Sequence, residues 1–462
     1  MNTGFSMSLS NVTRVLAAER CGVMAGDPLL TGVSTDSRSV NAGELFVALA
    51  GENFDGHAFV ARAAELGAVA ALVSQPSVDT AIPQILVTDT RLALGRLAQA
   101  WRRQFAIPVV ALTGSNGKTT VKEMLRAVLI AHCGDADAIL ATEGNLNNDI
   151  GVPHMMLRLN AGHQMAIFEL GMNHLGEIDY LTHLVEPDVA LVIMAGTAHI
   201  GELGSREAIA QAKGEIFLGL REAGIAVINM HDRFGGYWKK LAGKHRVIGF
   251  GVSGEDDVCA TFADDLQRPL KLVSQGKQID VQLQILGRHN QRNAVAAAAA
   301  ACALEVPLPT IKAGLEAFQG VSGRLQTHCG HNFATIIDDS YNANPDSVKA
   351  AIAVLAAFPS PRILVLGDMG ELGPEAAAMH ADVGAAARTA GIDCFCATGE
   401  LMRHAVRAFG SGGEHFQKID LLVNAVKPRL TAATHVLVKG SRFMKMERVV
   451  AQLVPNFKTA FH

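Results

Sequence analysis

The segment Thr113-Gly-Ser-Asn-Gly-Lys-Thr-Thr120 constrains the fold of this chain more than any other. It follows an apolar run, Pro108-Val-Val-Ala-Leu-Thr113, and leads into a helical pattern through Val121-Lys-Glu-Met-Leu-Arg126. A buried strand that turns through glycines into a helix presents several backbone N–H groups and the helix N-terminus to a phosphate. Gly114, Ser115, Asn116, Gly117 and Thr120 are therefore expected around a bound phosphate. Lys118 supplies a point charge and Thr119 offers a hydroxyl to magnesium. The spacing is compact: Leu112 stands where the commoner phosphate loop has its first glycine.

The same pattern recurs downstream. Met165-Ala-Ile-Phe-Glu169, Asp188-Val-Ala-Leu-Val-Ile-Met194 and Gly224-Ile-Ala-Val-Ile-Asn229 are continuous apolar runs that stop at or near a polar residue and alternate with helical stretches. Such runs predict a parallel sheet covered on both faces over residues 107–320. Before it, residues 1–106 carry shorter strands (Glu44 to Leu49, Ala68 to Val73, Gln84 to Val87) and a helix over Leu92 to Phe105, a small N-terminal α/β domain. After it, residues 321–462 repeat the alternation with Ala334 to Asp339, Arg362 to Asp368 and His435 to Lys439, a C-terminal Rossmann-like domain. The predicted fold class is α/β, with a central phosphate-loop parallel-sheet ATPase domain between these two. A chain of 462 residues, 49% hydrophobic and 18% charged, can bury the cores this requires.

Composition narrows the function. Forty basic against 44 acidic side chains leave no global field for nucleic acid or an anionic membrane. The amino terminus lacks a basic stretch followed by an apolar core, so no secretory signal is expected. Ala294 to Leu304, the longest strongly apolar stretch, is short of the ~20 residues that span a bilayer and predicts a close-packed helix instead. The seven cysteines are scattered, with Cys394-Phe-Cys396 the one close pair. A buried, reduced, cytoplasmic setting is expected, since one intervening residue is not the spacing of zinc or redox motifs.

Glu169 ends an apolar strand, and His199 follows the next long one within Ala195-Gly-Thr-Ala-His-Ile-Gly201. In an open α/β sheet such positions converge on one crevice with Thr119. Glu169 suits magnesium. His199 taken alone reads as a surface or core histidine, because magnesium prefers oxygen. Lys213, in Gln211-Ala-Lys-Gly-Glu-Ile-Phe217, reads alone as a solvated lysine early in a helix.

Taken together, the motifs resemble those of the Mur ligases over nearly the whole chain, and specifically the members that add D-alanyl-D-alanine. The matching segments are Ser34-Thr-Asp-Ser-Arg38, the phosphate loop, Thr142-Glu-Gly-Asn-Leu-Asn-Asn-Asp-Ile-Gly-Val-Pro153, Glu169 to His174, Ala212 to Phe217, Gly287-Arg-His-Asn290, Gly323-Arg324, Asp338 to Pro345, Leu366-Gly-Asp-Met-Gly-Glu-Leu-Gly373 and Val438-Lys-Gly-Ser-Arg442. The resemblance implies catalytic and metal roles for Lys118, Thr119, Glu169, His199 and Lys213, with two magnesium ions and a CO2-derived carbamate on Lys213. It implies that His289, Asn290, Asn293, Arg324, Asp339, Tyr341, Asn342 and Asn344 close over ATP. It also implies that Thr142, Asn145, Asn147 and Asn148 receive the muramoyl-peptide end, and that Ser34, Asp36, Ser37 and Arg38 hold the uridine nucleotide. Lys439, Ser441 and Arg442 are expected to help place the incoming dipeptide, although a plain anion site fits them as well.

The implied reaction joins D-alanyl-D-alanine to the terminal carboxylate of UDP-N-acetylmuramoyl-tripeptide, through an acyl phosphate made from ATP, in peptidoglycan precursor synthesis. A cytoplasmic monomer with no nucleic-acid partner and no membrane insertion is expected. The rivals are a sibling ligase adding the third amino acid, a folylpolyglutamate synthase, and a catalytically silent nucleotide-binding regulator. The first lacks support because Asn344-Pro345-Asp346 replaces the Asp-Asn-Pro-Arg signature expected of it. The second would not carry the Asp36-Ser-Arg38 pattern, and the third would not retain Lys118, Thr119, Glu169, His199 and Lys213 together.

Overall fold

A computed structural model describes residues 4–21, 26–51, 54–252, 256–261 and 269–457. Three sheets organise the chain in sequence order, one of five strands, one of nine and one of six. The first orders its strands Glu19–Cys21, Gln84–Leu86, Ala70–Val73, Glu44–Val47 and Gly32–Ser34. Its exit helix, Thr90–Arg102, starts where the Asp89 carboxylate accepts from Arg91 and Leu92 N–H. Leu94, Leu97 and Trp101 of that helix share one continuous core with Phe168, Leu184 and Val185 of the following unit. The first unit is thus anchored on the second by apolar burial rather than tethered to it.

The nine-stranded sheet runs in the order Ile139–Ala141, Met165–Glu169, Val109–Thr113, Val189–Val192, Ile225–Asn229, Arg246–Gly251, Val258–Thr261, Leu270–Ser274 and Lys277–Val281. The first seven are parallel, as the continuous apolar runs predict. The last two are antiparallel, a departure from the all-parallel expectation. They form a hairpin turned at Gln275 and Gly276, whose φ values of 50° and 73° are those of a tight hairpin turn. The Arg288–Ala303 helix opens with a polar turn and is apolar from Ala294 onward, where Ala294 and Ala296 through Ala301 are fully buried. The predicted close-packed helix is borne out, and alanine is what allows the approach.

The six-stranded sheet orders Gln326–Cys329, Thr335–Asp339, His435–Lys439, Arg362–Gly367, Cys394–Thr398 and Gly413–Phe416, antiparallel only at its first strand. Helices cover both faces, with separate cores around Leu364 and Val365. The helices Ala376–Thr389 and Met402–Phe409 meet at Gly384, where a Cβ would lie 2.0 Å from the Ala405 carbonyl oxygen. Because backbone cannot yield as a side-chain end can, Gly384→Ala is expected to cost about 1–3 kcal/mol or more, read as a lowered thermal midpoint. An unchanged midpoint would refute this packing. Among the described residues all seven cysteines are free, and no helix is long and apolar enough to cross a membrane.

Candidate active site

The strand order of the central sheet reverses at Val109–Thr113, which lies between Met165–Glu169 and Val189–Val192. The carboxyl ends of three neighbouring strands therefore open one crevice, the usual ligand position in such sheets. The phosphate loop leaves the middle strand there. Gly117 starts the Lys118–Cys133 helix at φ +84°, and a Cβ on it would meet Asn293 Oδ1 at 2.5 Å. Lys118 Nζ donates to Gly114 O at 2.7 Å. Burial pulls its pKa down, Glu169 opposes that, and Arg324 reinforces it.

Around Glu169 the polar contacts close tightly. Thr119 Oγ1 donates to Glu169 Oε2 at 3.0 Å and accepts from Arg324 Nη2 at 3.2 Å. Asn147 Nδ2 donates to Glu169 Oε1 at 2.8 Å, and the Glu169 N–H donates to Thr142 Oγ1 at 2.9 Å. Asn148 Oδ1 accepts from Gly151 N–H at 2.8 Å, and Asn145 O accepts from Asn147 N–H, so these asparagines shape the loop as well as line the crevice. The buried Lys122 ammonium holds the Thr142 carbonyl and pairs with Glu123 at 2.7 Å.

The C-terminal unit supplies the opposite wall of a cavity of about 710 Å³, with Arg324, Tyr341, Asn342, Asn344, Lys439, Ser441 and Arg442 facing Ser115 through Thr119, Asn145, Asn147, Asn148, Glu169 and His199. The Arg324 guanidinium lies over the Tyr341 ring at 4.5 Å, with Arg442 at 5.9 Å. Lys439 Nζ pairs with Asp339 at 2.7 Å and donates to Asn342 O at 2.8 Å. Ser441 Oγ donates to Ala343 O at 3.0 Å and accepts from Gly370 N–H at 2.8 Å. Lys439 and Ser441 therefore brace the loops in this structure.

Contacts across the crevice join the two units. Asn344 Nδ2 donates to Asn116 Oδ1 at 2.8 Å. Asp346 Oδ2 accepts from Thr197 N–H at 2.8 Å and Oγ1 at 2.9 Å, with Arg206 at 3.3 Å. His199 Nδ1 lies 2.9 Å from Glu371 Oε2, without the alignment of a hydrogen bond. His199 and Glu371 both hold left-handed backbone, φ 64° and 62°. His199 and then Lys118 keep the Glu371 carboxyl below its usual value.

Several expected residues lie behind the cavity rather than in its wall. Asn293 Nδ2 donates to Asn290 Oδ1 at 3.1 Å, and Asn290 Nδ2 donates to Leu286 O at 2.7 Å, a relay backing the phosphate loop. His289 is pushed down to about 4, mainly by burial, and it, Asp339, Gly114 and Thr120 also stand outside the wall. Lys213 requires a correction. It occupies the last turn of the Arg206–Gly214 helix, not an early one, because Ser205 Oγ caps that helix by accepting from Ala208 N–H. It is also no solvated lysine: only 1% exposed, it is pushed well below an ordinary lysine pKa by burial and then by the Lys118 charge. Among the described residues no carboxylate pairs with it.

A second cavity of about 1060 Å³ lies between the first and central units, lined by Thr31, Thr35, Glu44, Arg126, Thr142, His154, Arg158 and others. Thr35 Oγ1 meets His154 Nε2 at 3.0 Å across it. Ser34 is buried beside this wall with its Oγ donating to Asp36 O. Asp36, Ser37 and Arg38 stand outside the wall. Arg38, with its side chain 88% exposed, pairs with Asp36 at 2.7 Å in a surface turn, which lowers the Asp36 carboxyl to about 2. Arg126, Arg158, Glu371, Thr197 and Asp346 were not singled out from sequence. Glu371 stands inside the matched segment Leu366–Gly373, where its exposed-loop context hid it.

The oxygen donors Thr119, in the first turn of the helix after the phosphate loop, and Glu169, at a strand end, suit a hard cation. An unmodified ammonium at Lys213 does not; a carboxylate-like group on it would.

Family models match the chain in order: the Mur ligase family catalytic domain over residues 29–102, the Mur ligase middle domain over 112–301, and the Mur ligase glutamate ligase domain over 323–442. The UDP-N-acetylmuramoyl-tripeptide–D-alanyl-D-alanine ligase of Escherichia coli is 43% identical over 98% of this chain and 99% of its own length. The Bacillus subtilis protein of the same name is 34% identical over 97% and 98%. A crystal structure of MurF from Acinetobacter baumannii superposes with a TM-score of 0.91 at 37% identity, covering 98% of this chain and 99% of that one. With these matches spanning all three sheets, the chain belongs to the Mur ligase family.

Proposed function

We infer that the chain is an ATP-dependent ligase that joins D-alanyl-D-alanine to the terminal carboxylate of UDP-N-acetylmuramoyl-tripeptide, with release of ADP and phosphate, in peptidoglycan precursor synthesis. One observation carries the reading: the phosphate loop and Glu169 face Arg324, Tyr341 and Arg442 across a single cavity, in a chain matched end to end by relatives named for this ligation.

A carboxylate is a poor electrophile, so the peptide carboxylate must be activated. It attacks the γ-phosphorus of ATP, the bond from that phosphorus to the β-bridging oxygen breaks, and an acyl phosphate forms as ADP leaves. The dipeptide amine then attacks the acyl carbon, loses a proton and expels phosphate. The chain positions the reactants and meets the developing charge. Lys118 and Arg324 bring cations to the phosphates, while Gly114 to Thr120 present backbone N–H groups. Thr119, Glu169, His199 and Lys213 as its carbamate would hold magnesium, which when bound neutralises phosphate charge. The carbamate forms when the neutral Lys213 amine adds to CO2 and loses a proton. Tyr341, Asn342 and Asn344 close over the nucleotide, backed by His289, Asn290, Asn293 and Asp339, and closure excludes water that would hydrolyse the acyl phosphate.

Thr142, Asn145, Asn147 and Asn148 receive the peptide end. The second cavity takes the uridine nucleotide, with Arg126 and Arg158 supplying charge and Ser34, Asp36, Ser37 and Arg38 contributing from the adjoining turn. Lys439, Ser441 and Arg442 shape the dipeptide side. The working enzyme is a cytoplasmic monomer whose domains divide at 106/107 and 320/321. Arg126→Ala is expected to raise KM for the UDP substrate roughly tenfold, an exposed charged hydrogen bond, with kcat nearly unchanged. A fall in kcat at constant KM would remove Arg126 from this role.

The decisive assay supplies ATP, magnesium, UDP-muramoyl-tripeptide and D-alanyl-D-alanine, omits each in turn, and follows phosphate and product mass. Phosphate release coupled to a UDP-muramoyl-pentapeptide is expected. Turnover of a dipeptide nucleotide with a single diamino acid would make the chain the sibling ligase instead.

A further inference from the structure

The active site leaves unused a compact group at the opposite end of the C-terminal sheet. Cys394 and Cys396 begin the strand Cys394–Thr398, two residues apart and on one face. Glu414, directly across from Cys396 on the neighbouring strand, joins them, and the two sulfurs and a Glu414 oxygen lie within 4.8 Å of one another. Arg429, at the end of a short helix, donates to Cys394 Sγ at 2.7 Å and to Glu414 Oε1 at 2.6 Å, and stands 3.9 Å from Cys396 Sγ.

We propose that Cys394, Cys396 and Glu414 form a binding site for a thiophilic divalent cation of the zinc class, with Arg429 holding the cation's place until it arrives.

Geometry supports the assignment. The sulfurs are 3.7 Å apart. Two thiolates on a tetrahedral zinc, each at about 2.3 Å, stand about 3.8 Å from one another. The pair therefore spans a tetrahedral edge already, on a strand held by neighbours on both sides. A disulfide fits less well. Two residues along an extended strand separate their Cα atoms by about 6.6 Å, near the upper limit for a disulfide, whereas a bridging metal needs no sulfur–sulfur bond.

Charge agrees. Two thiolates and a carboxylate carry three negative charges, two of which one divalent cation cancels as the Arg429 guanidinium withdraws. Each coordinated thiol gives up its proton. Arg429 is positioned to leave: its side chain is 38% exposed and that of Glu414 40%, and an exposed ion pair of this kind contributes only about 0–1 kcal/mol. Cys396 is buried and Cys394 half-buried, so the sulfurs are screened while one side stays open.

The test uses the full chain, reduced with a phosphine and freed of metal, titrated with Cd2+ and with Co2+ while thiolate-to-metal charge-transfer absorption is followed. Wild type is expected to saturate at one equivalent, and added Zn2+ to bleach the Co2+ signal. Cys394→Ser and Cys396→Ser should each remove the saturating signal. Glu414→Gln should weaken binding by at least roughly tenfold, the low end even for an outer partner of a metal site. Arg429→Ala should retain the signal, and thermal melts of each variant establish that it is folded. A wild-type titration without saturation, or a signal that persists in a folded Cys394→Ser/Cys396→Ser double variant, overturns the proposal. So does a reduced pair that oxidises to a disulfide in preference to taking Cd2+. The site lies away from the ligase cavity, so ligase activity assayed with magnesium, in the absence of any thiophilic metal, is expected to be unchanged in Cys394→Ser.

Discussion

Lys213→Ala is expected to lower kcat by about a thousandfold, the ~4 kcal/mol typical of removing one group aimed at developing charge, while ATP binding changes little. The reasoning starts from burial. Lys213 is 1% exposed, without a carboxylate partner among the described residues, and the Lys118 ammonium acts on it. An unpaired ammonium there carries a desolvation cost of several kcal/mol. Only the neutral amine reacts with CO2, and an ordinary lysine is neutral in roughly one molecule in 2,500 at pH 7. Burial and Lys118 both push the Lys213 pKa down, so that fraction rises and the carbamate becomes accessible. The sign follows: carbamylation is favoured as pH rises through the depressed pKa and is lost as pH falls below it. While Lys213 is unmodified, the unfolded chain binds more protons between that pKa and about 10.4, so stability rises with pH across this window. Enzyme stripped of CO2 at mildly acidic pH should therefore start with low activity and recover on adding bicarbonate, whereas Lys213→Ala should not respond. A mass spectrum of native enzyme without the added CO2, together with full activity in CO2-free buffer, would sink the carbamate.

How much of this was legible in the sequence depended on how local the signal was. The loop Thr113 to Thr120 and Glu169 could be placed because strand ends, glycines and apolar runs are written in adjacent residues. The three-sheet α/β fold followed from the same runs. The antiparallel hairpin at Gln275 and Gly276 is not written as a continuous apolar run, because its short strands are half-exposed and interleave lysine, glutamine and aspartate with their apolar residues. The position of Lys213 at the last turn of its helix is not legible locally, because the helix limit depends on a single cap, Ser205. Its burial depends on packing from distant segments, which no local pattern encodes. Asp346 and Glu371 carry no local signal for a related reason: their partners Thr197, Arg206 and His199 lie more than a hundred residues away. The cross-crevice contacts are tertiary facts, and they are what turn three motif-bearing units into one cavity.

Arg324→Ala is expected to reduce kcat by about 10²–10³-fold, at the low end or below what a mobile arginine contributes to phosphoryl transfer, with a smaller effect on KM for ATP. Arg324 belongs to the C-terminal unit, yet its Nη2 reaches Thr119 Oγ1 of the phosphate loop at 3.2 Å. Its guanidinium is steadied by the Tyr341 ring, and among the described residues no carboxylate pairs with it. A cation so held has charge to give to a phosphate and arrives only when the two units meet. Arg324→Lys should recover little, because an ammonium neither stacks as a plane nor donates as a fork. Tyr341→Ala should cost less than Arg324→Ala, and the double variant should cost less than the sum, since both remove one arrangement. Asn344→Ala removes a bridge to Asn116 without removing charge, so its effect should fall on closure: a smaller compaction in X-ray scattering on adding an ATP analogue with the UDP substrate. If Arg324→Ala compacts like wild type but turns over slowly, the arginine acts on charge. If compaction is lost as well, it acts chiefly as a latch, and the rate loss should then match that of the bridging variants. Turnover within threefold of wild type would exclude both roles.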